Sequence, residues 1–282
     1  MDKLFIALQY LLPQQLLSRI TGWLARQHQP TWLVTQAIKL FISHFGVDMS
    51  QANRPYPEAY PSFNAFFTRP LKPGARPVAQ NTLVSPADGT ISQLGDIDNG
   101  HLVQAKGQQF TVRELLGGDE GQADLFTGGQ FATIYLSPRD YHRVHMPIAG
   151  KLTATTYIPG RLFSVNQVTA QQVERLFARN ERLVCYFETE LGPMAMILVG
   201  AMVVAGIETV WSGQEAPPLR RITNRNFTAL PEPVVLDKGD EMGRFMLGST
   251  VILLLPDRKL RLEPELQPGT ALQMGQPFGS VG

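Results

Sequence analysis

The sequence predicts an α+β protein: N-terminal amphipathic helices followed by a mainly antiparallel β-sandwich or barrel-like domain. Two patterns carry this reading. Through residues 1–46, apolar side chains recur at helical spacing. From Leu83 onward, short apolar runs are separated by turn dipeptides: Asp88-Gly89, Asn99-Gly100, Gly128-Gly129, Pro159-Gly160, Gly192-Pro193 and Lys238-Gly239. Strands and long helical stretches do not alternate, so parallel βαβ units fit less well.

In the helical segment, Pro13 can serve as a first helical residue. After it Leu16, Leu17, Ile20, Trp23 and Leu24 form one stripe, with Gln14, Gln15, Ser18 and Arg19 opposite. Thr31 can cap a further helix and Gly46 can end it. Inside that helix Val34, Ala37, Ile38, Phe41, Ile42 and Phe45 share a face. Leu4, Phe5, Ile6, Leu8 and Leu11 form a shorter apolar start. Stripes like these pack on a core or lie in a membrane interface. Lys3, Arg19, Arg26 and Lys39 against Asp2 alone, with Trp23 and Trp32, favour the interface.

Residues 47–80 read as a connector, rich in proline and anchored by Phe63, Phe66 and Phe67. Residues 81–282 form the β-rich domain. Strands are expected over Phe131 to Leu136, Lys151 to Tyr157 and Leu183 to Phe187. Short helices are expected around Val112 to Leu116 and Thr169 to Ala178. The longest apolar stretch, Met194 to Ile207, is broken by Gly200 and Gly206. It reads as buried strands joined by a tight turn rather than a membrane span.

Composition narrows the function. Of 282 residues 44% are hydrophobic, enough for a sizeable core. The net charge of +1, without a basic block, gives no sign of a nucleic-acid partner. Cys185 is the sole cysteine, which excludes an internal disulfide and a thiolate cluster; it reads as a buried structural thiol. Pro13 interrupts the first apolar run, and no signal peptide is recognisable.

The chemistry centres on Gly248-Ser249-Thr250, which interrupts a run otherwise reading as buried strand. In such a place Gly-Ser marks a bulge or a close backbone approach. It also offers a hydroxyl beside a carbonyl that glycine lets bend freely. A serine nucleophile needs a base, and the base needs a group to orient it. His142 and His145 lie in the block Ser137-Pro138-Arg139-Asp140-Tyr141-His142-Arg143-Val144-His145-Met146-Pro147. Ser137 and Pro138 read as the cap and first position of a brief helical turn. Such a turn would put both rings on one face, where an extended strand would put them on opposite faces. Two histidines at one site favour the turn. Their spacing could suit a metal, but no third ligand is evident, so no metal is expected. Asp88 sits in Ser85-Pro86-Ala87-Asp88-Gly89, where Asp-Gly is an ordinary hairpin signal and also a candidate partner for a histidine. Two other functions remain open at this level. A Ser-His-Asp hydrolase lacks the Gly-x-Ser-x-Gly elbow here. A biotinyl- or lipoyl-like module would fit the turn Lys238-Gly239-Asp240-Glu241-Met242-Gly243 at fold level only.

Taken in order, Ser85-Pro86-Ala87-Asp88-Gly89, the histidine block and Leu247-Gly248-Ser249-Thr250 closely resemble the phosphatidylserine decarboxylases of bacterial and mitochondrial type. Phe66-Phe67-Thr68-Arg69-Pro70-Leu71-Lys72-Pro73 and Pro159-Gly160-Arg161-Leu162-Phe163-Ser164-Val165-Asn166 extend the match, which runs from about Tyr60 to Pro256. The resemblance implies a precursor that cuts itself between Gly248 and Ser249 into chains 1–248 and 249–282. Ser249 would become a covalent pyruvoyl group, pyruvate being the implied cofactor, that forms a Schiff base with the substrate amine. Asp88, His145 and Ser249 would form the processing triad, and His142 would serve decarboxylation as proton donor. The product would be phosphatidylethanolamine with carbon dioxide. Arg161, Ser164 and Asn166 would be substrate contacts. The implied partners are phosphatidylserine, an anionic membrane surface and the two-chain heterodimer, with further dimerisation left open. The implied location is peripheral, on the cytoplasmic side of the inner membrane.

Overall fold

The computed structural model describes residues 2–105, 107–202, 206–216, 221–246, 248–256 and 260–281. Leu247 of the Gly-Ser motif and residues 203–205 of the 194–207 stretch lie outside the described residues. Helices α1 (Asp2–Leu11), α2 (Gln14–Ala25), α3 (Thr31–Phe45) and α4 (Phe63–Phe67) come first. Then follow β1 (Leu83–Val84), β2 (Gly89–Asp96), β3 (His101–Ala105), β4 (Gln108–Thr111), α5 (Val112–Leu115) and α6 (Glu120–Asp124). Next are β5 (Gln130–Leu136), β6 (Arg143–His145), β7 (Gly150–Ile158), α7 (Gln167–Gln172) and α8 (Leu176–Arg179). Strands β8 (Arg182–Thr189), β9 (Gly192–Gly200), β10 (Ile207–Thr209), β11 (Gly213–Ala216) and β12 (Thr223–Asn226) continue the chain. Last are β13 (Val235–Leu236), β14 (Glu241–Phe245), β15 (Ser249–Leu255), β16 (Leu260–Leu262), β17 (Ala271–Leu272) and β18 (Pro277–Val281).

The pairings are antiparallel, as the turn-punctuated sequence predicts. The main sheet runs β12-β7-β8-β9-β15-β5-β2-β17, with β13 also on β7. A second sheet runs β11-β10-β14-β6, a third β1-β18-β16, and β3 pairs β4. The sheets stay open, so the sandwich description holds and no barrel closes among the described residues. Alternation along β15 sets the layers. Val251, Leu253 and Leu255 face a core shared with Val144, Met146, Ile207 and Phe245. Ile252 and Leu254 face the opposite core, beneath α5, α7 and α8. Cys185 is buried in the first of these cores, where desolvation pushes its thiol up.

The expected helix at 112–116 forms as α5, closed by a capping box between Thr111 and Glu114. The expected helix at 169–178 forms as two pieces, because Arg175 takes a left-handed φ of 53° between them. The stretch from Met194 to Ile207 is not one hairpin. β9 belongs to the main sheet and β10 to the second, so the chain changes layers between them.

The N-terminal helices differ from expectation in an informative way. Gly46 ends α3 with φ 65°, as predicted, but Pro30 occupies the N-cap and Thr31 is already helical. Ile38 is the buried centre of α3, against Phe66, Phe67 and Tyr60. In α2 the polar and small residues Gln14, Ser18, Gly22 and Ala25 face the protein. Leu16, Ile20, Trp23 and Leu24 are 47–60% exposed. Side-chain hydrogen bonds explain the inversion. Gln14 Oε1 accepts from Leu162 N–H at 2.9 Å, and Gln9 Oε1 accepts from Ser164 N–H at 2.8 Å. The two glutamines pin α1 and α2 to the 161–166 segment by their polar faces. The apolar stripe is therefore not a core face.

Candidate active site

Backbone pairing brings the three distant motifs to one place. The β6–β14 ladder joins the histidine block to the strand that leads into Gly248. Phe245 N–H donates to His142 O at 3.1 Å, and His145 N–H donates to Pro86 O at 2.8 Å. The chain then leaves the second sheet and enters the main sheet as β15, beginning at Ser249. The Gly248-Ser249 bond thus sits at a crossover between layers. Gly248 has φ 45°, in the left-handed region that glycine alone enters without penalty. Ser249 pairs with Leu136 on one side and Gly200 on the other. It is fully buried, and its Oγ makes no hydrogen bond. Leaving a buried hydroxyl unpaired costs about 1–3 kcal/mol, so this is a position held against folding preference.

His142 is fully buried against Phe67, with ring centroids 4.1 Å apart. Asp140 O lies 2.8 Å from its Nδ1. A carbonyl can only accept, so Nδ1 carries the hydrogen and Nε2 is a lone-pair acceptor. That Nε2 is buried without a partner. Burial pushes the ring's pKa down to about 3. His145 sits at the end of β6 rather than in a helical turn. The expected turn closes earlier, at Ser137–Asp140, where Asp140 Oδ2 accepts from Ser137 N–H and Oγ–H. Gly239 O accepts from His145 Nδ1–H at 2.8 Å, and Tyr141 O–H donates to Nε2 at 3.1 Å. Burial, the largest influence, lowers the His145 pKa. The Gly239 bond and the Glu241 and Asp88 carboxylates oppose this, and Arg143 reinforces it.

Asp88 is buried just before β2 and does not form a hairpin turn. Its carboxylate accepts from Arg76 Nε at 2.9 and 3.1 Å, from Arg76 Nη2, and from Met274 N–H at 2.8 Å. Among the described residues no hydrogen bond joins it to His145; it acts on that ring through its field. Gly89 next to it is required by close approach, since a Cβ there would stand 2.4 Å from Tyr135 O. Of the expected substrate contacts, Arg161 is exposed, Ser164 N–H is held by Gln9, and Asn166 caps α7. Sequence reasoning missed Tyr141, Gly239 and Arg76. Only Tyr141, inside the histidine block, carried a signal; a carbonyl such as that of Gly239 leaves none.

An apolar cavity of about 470 Å³ opens beside Gly248. Leu24, Phe41, Phe45, Phe63, Phe67 and Met202 line it, and Gly248 stands at its wall. It lies between α2, α3 and α4, below the exposed apolar stripe.

Comparison with known proteins shows the family. A family model described as phosphatidylserine decarboxylase matches residues 63–280. A further one, described as PSD, matches residues 4–46. The chain belongs to the phosphatidylserine decarboxylase family. Its relatives include proteins named phosphatidylserine decarboxylase proenzyme. The one from Azotobacter vinelandii is 56% identical over 99% of both chains. That from Alcanivorax borkumensis is 53% identical over 99% of this chain and 96% of its own. That from Marinobacter nauticus is 52% identical over 100% and 99%. Among the described residues, no helix of this phosphatidylserine decarboxylase family member is long and apolar enough to cross a membrane.

The buried imidazoles predict how stability depends on pH. His142 has a folded pKa of about 3 against about 6.5 when unfolded, so between these values the unfolded chain binds more protons. Stability from this ring is complete above pH 6.5 and falls by about 1.4 kcal/mol per pH unit below it. His145 acts in the same direction. Urea midpoints should drop from pH 7 to pH 5, and His142→Phe should flatten that slope. An unchanged slope would mean that His142 is protonated in the folded chain.

Proposed function

We propose that this chain is the precursor of an enzyme that decarboxylates phosphatidylserine to phosphatidylethanolamine, and that it matures by cutting itself at Gly248-Ser249. The observation that carries the reading is Ser249: buried, unpaired, and behind a left-handed glycine at a crossover between sheets. Ser249 Oγ attacks the Gly248 carbonyl carbon, and the amide becomes an ester. His145 is the base. Its Nδ1–H is fixed by Gly239, so Nε2 is the atom that takes the serine proton once Tyr141 moves aside. Asp88 supports the charge that then develops on the ring, as its field already does. Loss of the Ser249 α-proton expels the Gly248 carboxylate and breaks the chain.

The dehydroalanine left at residue 249 would take up water and release ammonia, ending as a pyruvoyl group, which supplies an electron sink for loss of carbon dioxide from the bound serine headgroup. The surroundings fit it: an apolar cavity at Gly248, and behind its Phe67 wall the unpaired Nε2 of His142. His142 manages the proton at the carbon that loses its carboxylate. Since Nε2 starts without a hydrogen, it must first receive the proton it later gives. The two chains, 1–248 and 249–282, stay together after cleavage because β15 lies between β9 and β5, buried on both faces.

The membrane supplies the substrate. Residues 1–46 form the docking region, residues 47–80 the connector and residues 81–282 the catalytic domain. Exposed Leu16, Ile20 and Trp23 on α2, beside exposed Arg19 and Arg26, suit an anionic interface. The cavity beneath them takes the apolar end of the lipid. We assign a peripheral position on the cytoplasmic face of the inner membrane. Changing Leu16, Ile20 and Trp23 together to serine should weaken binding to phosphatidylglycerol vesicles tenfold or more. Thermal stability should not fall, because the stripe is exposed. A drop in the melting temperature would instead make it a packing face.

Intact mass of the freshly purified protein tests the central claim. Two fragments divided at 248/249, the second blocked by pyruvoyl, are expected, together with carbon dioxide release from phosphatidylserine. A chain that stays whole on incubation would overturn the reading.

A further inference from the structure

The face of the sheet that presents Ser249 continues across β9 onto β8. Ser249 pairs with Gly200, and Gly200 N–H donates to Glu181 O at 2.8 Å. Opposed residues of antiparallel strands point to the same face. Glu181 turns its carboxyl there too: Oε1 lies 3.9 Å from where a Gly200 Cβ would stand. Opposed Cβ atoms are about 4.5–5.5 Å apart, which puts Oε1 within about 9 Å of Ser249 Cβ. A Cβ at Gly200 would stand 3.3 Å from Glu181 O and 3.4 Å from Leu162 Cδ2, so glycine lets these groups approach closely. The φ of Gly200 is not left-handed, so its backbone does not demand glycine.

Glu181 has no ion-pair partner among the described residues. It is 5% exposed, and Oε2 accepts from Tyr157 O–H at 2.9 Å. The charged group acting on it is Arg19 of α2. Burial raises its pKa above the ordinary carboxyl value, while Tyr157 and Arg19 oppose the rise. A carboxyl so placed is costly to folding, and the steps above do not use it. A step is nonetheless missing from them. The serine headgroup arrives as an ammonium, which cannot attack a carbonyl until it sheds a proton. The carbonyl oxygen cannot leave as water until it gains one. His145 is assigned above to the cutting of the chain, and His142 serves the neighbouring carbon.

We propose that Glu181 is a further catalytic residue of this site, the carboxylate that takes the extra proton of the substrate's primary ammonium and returns it to the oxygen that departs as water. The proposal rests on the decarboxylase reading. In the step a C–N bond forms, the C–O bonds break and water leaves. Glu181 passes from carboxylate to acid and back, and nothing is oxidised or reduced.

The test uses matured enzyme, phosphatidylethanolamine in detergent micelles as the amine probe, and cyanoborohydride. Mass spectrometry reads the amine trapped on residues 249–282, independently of decarboxylation. Glu181→Gln keeps an acceptor for Tyr157 and should be cut like the parent. Its trapping at pH 7 should be tenfold or more slower, rising about tenfold per pH unit with the free-amine fraction. The parent should be level above an acid limb set by Glu181. Tyr157→Phe, which removes a bond that lowers the Glu181 pKa, should move that limb to higher pH. Parent-like rate and profile in Glu181→Gln overturn the proposal. Should that variant fail to mature, an unmoved limb in Tyr157→Phe overturns it. A parent protein that stays uncut, or traps no amine at all, overturns the decarboxylase reading instead.

Discussion

Ser249→Ala should leave one uncut 282-residue chain without decarboxylase activity, and that chain should be at least as stable as the parent. The two halves of this result have separate causes. Alanine has no oxygen to attack the Gly248 carbonyl, so neither ester nor cleavage can follow. The stability half comes from packing. Ser249 is fully buried and its Oγ has no hydrogen-bond partner. Its neighbours along that face, Val251 and Leu253, are core residues. Removing an unpaired buried hydroxyl relieves about 1–3 kcal/mol of desolvation, against the loss of little more than one atom's packing. The expected gain is about 1 kcal/mol, read as a higher urea midpoint at pH 7. A serine kept for structure would show the reverse sign, a loss on removal of its hydroxyl. Intact mass and a denaturation curve on one preparation therefore separate the two roles. Cleavage in this variant would refute the nucleophile, and a clear loss of stability would make Ser249 a structural residue.

Much of this arrangement is legible in the sequence because it depends on local rules. Turn dipeptides and β-branched runs marked the strands, and Gly46 marked the end of α3 by its need for a positive φ. The periodicity of α2 was equally clear, yet periodicity names a stripe without saying which way it faces. That depended on Gln9 and Gln14 finding Ser164 and Leu162, 155 and 148 residues further along the chain. The histidine spacing suggested a shared helical face, but the ladder from Arg143 to His145 on β14 overrode it. Asp88 stood out by its motif. Its ion pair with Arg76 did not, because nothing in the sequence says that a connector arginine will meet it. Gly239 reaches His145 through a backbone carbonyl, which every residue owns. Glu181 emerges only from the register that sets Gly200 beside Ser249. Patterns identify elements and candidate nucleophiles; long-range registry decides which polar groups share a pocket.

His142 and His145 should separate into two phenotypes when each is changed to alanine. His145→Ala removes the ring proposed to take the Ser249 proton, so maturation should stall, with the uncut chain dominant after incubation. General-base assistance is worth about 10²–10⁴ in rate, so slow residual cleavage over days is compatible with the role. His142→Ala should mature normally and then decarboxylate about 10²–10⁴-fold more slowly. The structure argues for the split through what each ring touches. His145 is tied to Gly239 and Tyr141 and is joined at its backbone to Pro86, two residues from Asp88. His142 packs on Phe67, which lines the apolar cavity at Gly248, and its Nε2 has no partner there. A ring beside the apolar cavity is placed for the reaction proposed for the lipid. A ring tied to the Asp88 loop belongs to the cutting of the chain. The decisive measurement is a pair of time courses for each variant, cleavage by intact mass and carbon dioxide release per cut chain. Equal release per cut chain in His142→Ala and the parent would remove its assigned role. Parent-like maturation of His145→Ala would move the base elsewhere, with His142 Nε2 the next free nitrogen.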